Sequence, residues 1–208
     1  MGVLDRAKHA LAAQKALSVT DDVAATAGET TVHTTITAMV DVTTKKVVGE
    51  ILTQRTRTAA TVIERGGRVS VYVTPTVAYF KVSAADLLAN GASQPYAAAA
   101  GGKWIRSSPA DSPVANVDRF TDLCASAQSL CTDPTANHVS TQGDLSTLSA
   151  ADGTLLSLPA SGSDFPVTIT VHGTATGTLR YSPGNSADLD RMQPPSPAID
   201  EATLPPRS

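Results

Sequence analysis

Hydrophobic and polar positions along the chain change period twice, dividing it into helical and extended stretches. Over residues 3–27, Val3, Ala7, Ala10, Ala13 and Leu17 recur at helical spacing, with Asp5 in the first turn and Gly28 just past the end. That pattern predicts a helix, with Thr20-Asp21-Asp22 as the place for a break in it. From Thr31 to Val42 the period becomes two. Val32, Ile36, Ala38, Val40 and Val42 take one face, and His33, Thr35, Thr37 and Asp41 the other, as in a half-buried antiparallel strand. Val47–Thr53 and Thr58–Glu64 read as a hairpin around Arg55. Arg65-Gly66-Gly67-Arg68 reads as a tight turn, because its glycines accept positive φ. Val69–Thr74 alternates strictly, and Pro75-Thr76 leads into a strand over Val77–Val82. These strands form a meander.

Further on, a short helix is expected at Ala84–Asn90, closed by Gly91, then a loop through Ala97–Gly102 and a small strand at Lys103–Arg106. Asn116 reads as a helix cap. After it, Val117, Phe120, Leu123, Cys124, Ala127 and Leu130 form an apolar stripe of helical period, ended by Asp133-Pro134. Strand character returns over Val139–Leu148, Thr154–Leu158, Val167–Val171 and Thr174–Tyr181, with turns at Asp152-Gly153 and His172-Gly173. Prolines then accumulate (Pro183, Pro194, Pro195, Pro197, Pro205, Pro206), which predicts an end that is extended or disordered. The expected organisation is one domain over 1–185 and a proline-rich tail over 186–208. Its class is α+β: an antiparallel sheet of eight or more strands with the helix at Val117–Leu130 lying across one face.

Composition narrows the function. Hydrophobic residues make up 41% and aromatics only 4%, so the apolar surface is aliphatic. Such walls suit acyl chains and an ordinary β core alike. The net charge is −3 and no basic stripe is concentrated anywhere, which argues against a nucleic-acid partner. No apolar run is long enough for a membrane-spanning helix. The start, Met1-Gly2-Val3-Leu4-Asp5, lacks the features of a secretory signal and is a poor myristoylation site, which fits a cytosolic protein or a mature fragment.

No hydrolase, zinc-protease, phosphate-loop or dinucleotide motif is present. A metal site from His33, His138 and His172 would need three strands to converge, and strand-edge histidines are the simpler reading. Asp188 and Asp190 fall in the tail as solvated acids. Trp104 reads as a core anchor before a ligand-stacking residue. The expectation is therefore no catalytic residue, no metal, no cofactor and no enzyme activity.

Cys124 and Cys131 match no zinc or redox spacing and fit one disulfide of an exported protein. Seven helical residues advance about 10.5 Å. A disulfide tolerates a Cα separation of roughly 4.4–6.8 Å. The bond therefore requires the chain to leave the helix after about Ala127. The alternative is an unbroken helix with two buried thiols.

Several segments in order resemble the actinobacterial LppX–LprG lipoprotein family. They are Val71-Tyr72-Val73 leading to Ala78-Tyr79-Phe80-Lys81-Val82, then Gly102-Lys103-Trp104-Ile105 with Pro109 after it, and the helix at Val117–Leu130. Pro166-Val167-Thr168-Ile169, Gly177-Thr178-Leu179-Arg180-Tyr181-Ser182 and Pro194-Pro195 complete the series. The resemblance covers roughly residues 10–198 by order and spacing. It implies a strongly curved antiparallel sheet, an incomplete β-barrel of the LolA type, with helices across its concave face.

It also implies an apolar cavity that holds a lipid or lipoglycan by its acyl chains, for transport or presentation in the cell envelope. Strand alternation and the helical stripe place Ile36, Val40, Ile51, Val62, Val69, Val71, Val73, Phe120, Leu123, Ile169 and Val171 on the cavity wall. Family members begin with a signal peptide and a lipid-modified cysteine. Neither is in this sequence, so the resemblance implies export and attachment to the membrane surface through an anchor this chain does not carry. The rival expectation is an envelope interaction or scaffold domain with the same strands, a filled core and no ligand.

Overall fold

A computed structural model describes residues 2–57, 63–111, 117–132, 137–172, 175–189 and 192–207. Its centre is one curved, unclosed sheet with few helices. The strands are β1 (Ala16–Ala27), β2 (Thr30–Asp41), β3 (Lys46–Arg57), β4 (Ile63–Val73), β5 (Ala78–Val82) and β6 (Trp104–Ser107). Then follow β7 (His138–Gln142), β8 (Leu145–Ser149), β9 (Leu155–Pro159), β10 (Val167–Val171), β11 (Ala175–Pro183) and β12 (Ala198–Asp200). Their order across the sheet is β12-β6-β5-β4-β3-β2-β1-β11-β10-β9-β8-β7. Two meanders, β1 to β6 and β7 to β11, are thus joined by β1 pairing with β11. All neighbours are antiparallel except β12, which lies parallel to β6.

The register gathers the aliphatic residues on one face. Directly opposed residues share a face, so one row runs Val82, Val69, Ile51, Ile36, Asp21, Leu179, Ile169, Leu156, Leu148 and Val139, from β5 to β7. Beside it runs a second row: Ile105, Phe80, Val71, Gly49, Ala38, Val19, Tyr181 and Val167. The opposite face carries Thr20, Thr35, Thr37, Thr168, Thr170 and Thr178. Long Val- and Thr-rich strands suit this pleated, half-buried setting.

Helices cover the aliphatic face from both ends. Helix α1 (Val3–Ala12) buries Val3, Ala7, Ala10 and Leu11 and packs over β8 and β9. Arg6 fixes it there, with Nη2 2.6 Å from the Asp164 carboxylate and 2.8 Å from the Pro159 carbonyl. Helices α2 (Ala84–Ala89) and α3 (Gln94–Ala100) pack Leu87, Tyr96, Ala97 and Ala100 against Phe80 and Ile105. Ser83 and Ser93 cap them.

The connection from β6 to β7 must pass from beside one edge of the sheet to the other. Ten strand spacings at about 4.8 Å make roughly 48 Å if flat. It crosses as a turn of 3-10 helix (Val117–Phe120), then α4 (Leu123–Ser126) and α5 (Gln128–Thr132). Phe120, Leu123, Ala127 and Leu130 are buried in the same cluster as Val19, Ile36 and Ile169.

The chain is broken between α4 and α5 at Ala127 (φ −140°, ψ 65°). This break brings Cys124 and Cys131 to a Cα separation of 5.7 Å, and they are disulfide-bonded. The helix anticipated over Val117–Leu130 keeps its apolar stripe and loses its continuity, as the bond requires.

A second crossing uses the other face. After β11 the Gly184 N–H donates to the Ala16 carbonyl. The Met192 carbonyl then accepts from Lys46 Nζ and the Tyr72 hydroxyl, and Met192 and Tyr72 are both buried. Beyond it the chain pairs as β12 and ends beside α3, where the Ser93 N–H and hydroxyl donate to the Arg207 and Pro206 carbonyls. The proline-rich end is extended, but it is a docked strap with a paired strand. A short helix α6 (Ser186–Leu189) also falls in it.

Other expectations change. The helix expected over 3–27 stops at Ala12, and 16–27 is a central strand. Leu17, Val19, Asp21 and Val23 also alternate, and pairing with β2 and β11 outweighs alanine's helical propensity. Residues 65–68 form no hairpin turn. Thr53 pairs with Gly67 and Gln54 with Arg65, so Gly66 is the extra residue of a β-bulge inside β4. Of the strand expected over Thr58–Glu64, residues 58–62 lie outside the described residues and the rest is the start of β4. Val139–Leu148 is a hairpin, β7–β8, turning at Gly143 (φ +59°). The expected loop at Ala97–Gly102 begins inside α3. Trp104 is half-buried with the opposite parity to Ile105, which is the core anchor instead. Asn116, Asp133, Pro134 and Gly173 lie outside the described residues.

Two measurements check this account. Replacing both Cys124 and Cys131 by Ser should lower the unfolding free energy in urea by about 2–3 kcal/mol, the loop-closure value for so short a loop. An unchanged midpoint would show that the bond constrains nothing. Burial, with the Glu201 carboxylate beside it, pushes the Tyr96 hydroxyl up to about 12 from 10.0. The folded state then holds this proton more tightly than the unfolded chain. The stabilisation is complete below pH 10 and is lost as pH rises through about 12. Tyr96→Phe should flatten that part of the stability–pH curve.

Candidate functional site: the aliphatic face

The first transverse row brings together residues far apart in sequence. Ile36, Ile51, Val69 and Ile169 lie in it. Val71 lies in the second row, and Val40 and Val73 flank Val47 in a third. Val171, opposite Gly177, stands one step beyond the first row on β10. Phe120 and Leu123 reach the same cluster from the crossing segment. Val62 lies outside the described residues. Ile36, Val40, Ile51, Val71, Val73, Phe120, Leu123 and Ile169 are buried, while Val69 and Val171 are partly buried against the cluster.

Three features of this face were not among the expected wall residues. The Gly49–Ala38 pair in the second row puts the smallest side chains beside Val71 and Val19. A side chain at Gly49 would meet the Thr37 carbonyl and Ala38, so glycine is required there. Asp21, only 3% exposed, sets a carboxyl among the aliphatics between Ile36 and Leu179. Its alternation with Val19 and Val23 was legible, but the helical reading of residues 3–27 concealed it. Tyr181, fully buried, links the face to α4 through a 3.1 Å hydrogen bond between its hydroxyl and that of Ser126.

Chemistry other than apolar contact is dispersed. His33 and His172 line one shallow cleft with Asp22, whereas His138 sits on the edge strand β7. Among the described residues no group of three His, Cys, Asp or Glu side chains could hold a metal. No helix among them is long and apolar enough to cross a membrane. Two further clefts adjoin the crossing segment. One of about 440 Å³ runs between α4, α5 and Val171, and one of about 170 Å³ between α1 and Leu123.

No family profile matches the chain, and no curated protein matches it. Among solved structures, the chain is similar to that of the lipoprotein LppX of Mycobacterium tuberculosis. The two share 12% identity at a TM-score of 0.40, over 88% of this chain and 95% of that one.

Proposed function

We propose that this chain is a non-catalytic lipid-binding protein of the cell envelope, holding the acyl chains of a lipid or lipoglycan for transport or presentation. The observation that carries the reading is the aliphatic face itself. It runs from β5 to β7 with only Asp21 interrupting its first row, and its cover consists of short, separate helices. A guest chain lying between face and cover would gain about 0.8 kcal/mol per buried methylene. The order and spacing of the family-like segments support the same reading. The proposed wall comprises Ile36, Val40, Ile51, Val62, Val69, Val71, Val73, Phe120, Leu123, Ile169 and Val171.

In this reading residues 1–185 are one carrier-like domain, and 186–208 act as a strap on it. Export and membrane attachment through a lipid anchor belong to the proposal, as does membership of the LppX–LprG family. The disulfide fits an oxidising compartment.

A second reading, an envelope scaffold domain with a filled core, is favoured by one observation. Most of the proposed wall residues are buried against Phe120, Leu123 and Leu130 within the protein itself.

Mass spectrometry of an organic extract of the purified protein separates the two. Co-purifying acyl lipid is expected, and a lipid-free protein that takes up none from vesicles would leave the scaffold reading. Val71→Asp or Ile169→Asp should reduce retained lipid at least several-fold while far-UV circular dichroism stays native. Loss of the spectrum together with the lipid would assign those side chains to plain core.

A further inference from the structure

A cleft of about 600 Å³ opens where β6 ends, away from the aliphatic rows. Its walls are Thr76-Val77, Arg106-Ser107-Ser108, Asp200–Ala202 and Arg207. The size falls within the roughly 300–1,000 Å³ of small-molecule sites, but the lining is hydroxyl and charge, which suits a hydrophilic guest.

The charges in this cleft are not equivalent. Asp200 Oδ1 accepts the Ala202 N–H at 3.0 Å, and Glu201 Oε1 accepts the Tyr96 hydroxyl at 3.1 Å. Among the described residues the guanidiniums of Arg106 and Arg207 have no such hydrogen-bond partner. Among the described residues, the ion pairs join Arg6 to Asp164, Lys45 to Asp118 and Arg68 to Glu50, and none involves Arg106 or Arg207. Arg207 is nevertheless held in place. Its carbonyl takes the Ser93 N–H at 2.7 Å, and its guanidinium lies 5.8 Å from the centre of the Tyr96 ring. The terminal strap therefore delivers a preorganised cation to a cleft that already has one on β6.

We propose that this cleft binds a phosphorylated polyol. Two guanidinium forks match the several oxygens of a phosphoryl group, to which each can donate paired hydrogen bonds. The hydroxyls of the polyol meet Ser107, Ser108 and Thr76, and donate to the remaining lone pairs of Asp200 and Glu201. These carboxylates disfavour a bare anion, so the ligand carries its charge and its hydroxyls together. The site uses none of the aliphatic wall and stands or falls separately from the acyl-chain reading.

Calorimetric titration of the whole chain with glycerol 3-phosphate tests it. Saturable binding is expected, with inorganic phosphate weaker and glycerol silent. Arg106→Gln and Arg207→Gln should each weaken binding by ~10-fold or more, the effect of losing about 1.4 kcal/mol. Arg106 pairs with Asp200 of the strap through the backbone, and Arg106→Gln leaves that backbone and the Ser93 hydrogen bonds to the strap in place, so it reads the side chain's part in the site. No saturable binding by the wild-type chain, or wild-type affinity in either variant, would overturn the inference, as would inorganic phosphate binding as tightly as the ester. Flotation with phosphatidylglycerol vesicles, against phosphatidylcholine vesicles, identifies the source. Capture that glycerol 3-phosphate competes away makes the ligand a lipid headgroup, and solution binding without capture makes it a free ester.

Discussion

An aliphatic sheet face cannot be left to water, and in this protein that requirement meets a chain whose successive strands end near opposite edges. The β6–β7 connection starts beside one edge and finishes at the other, so it has to traverse the face. By crossing, it supplies the cover: Phe120, Leu123, Ala127 and Leu130 are buried in one cluster with residues from strands of both meanders. Burial of apolar area drives the arrangement, at about 25 cal/mol per Å² removed from water. The disulfide follows from the same crossing. A continuous helix would be straight, whereas the break at Ala127 lets two short helices fold back and keep their apolar residues on a curved surface.

The strap over the other face has a different logic. Much of that face is threonine, serine and charged residues and tolerates water, but the Met39–Val48–Tyr72–Tyr79 row across β2 to β5 is less polar. Met192 lies beside Tyr72 there. The strap then continues to β6, where β12 covers the unpaired edge with a short parallel strand. Covering an edge removes a template for unwanted pairing. At the opposite edge, β7 keeps its outer side unpaired among the described residues, and Val139 is 64% exposed. The two edges of the sheet are thus managed unequally, and the more protected one adjoins the polar cleft.

Where the sequence signal was strict alternation, the elements stood. Val69, Val71 and Val73 share a face, and so do Ile36 and Val40, because a period of two leaves only the choice of face open. The apolar stripe from Val117 to Leu130 identified the covering segment, and the cysteine spacing anticipated its break. The failures have one cause. Residues 16–27 and the glycines at 66 and 67 each have a local pattern that fits two structures, and distant partners chose between them. Alanine-rich residues 16–27 became a central strand because β2 and β11 pair with both their edges. The glycines at 66 and 67 became a bulge because β3 is long enough to pair on either side of it.

The sequence by itself determined the material of this protein: aliphatic strands alternating with threonine, one covering stripe, two cysteines whose bonding would break a continuous helix, and no local catalytic motif. These follow from neighbours within a few residues, where side-chain direction is fixed by backbone period. Only the tertiary structure decided that β1 pairs with β11 and unites two meanders, that Asp21 is buried among aliphatics, and that a proline-rich end returns to bring Arg207 into the same cleft as Arg106. Such arrangements depend on which distant segments hydrogen-bond and bury each other. That choice is a property of the whole sheet, since the pairing of each strand depends on the cover found for every other.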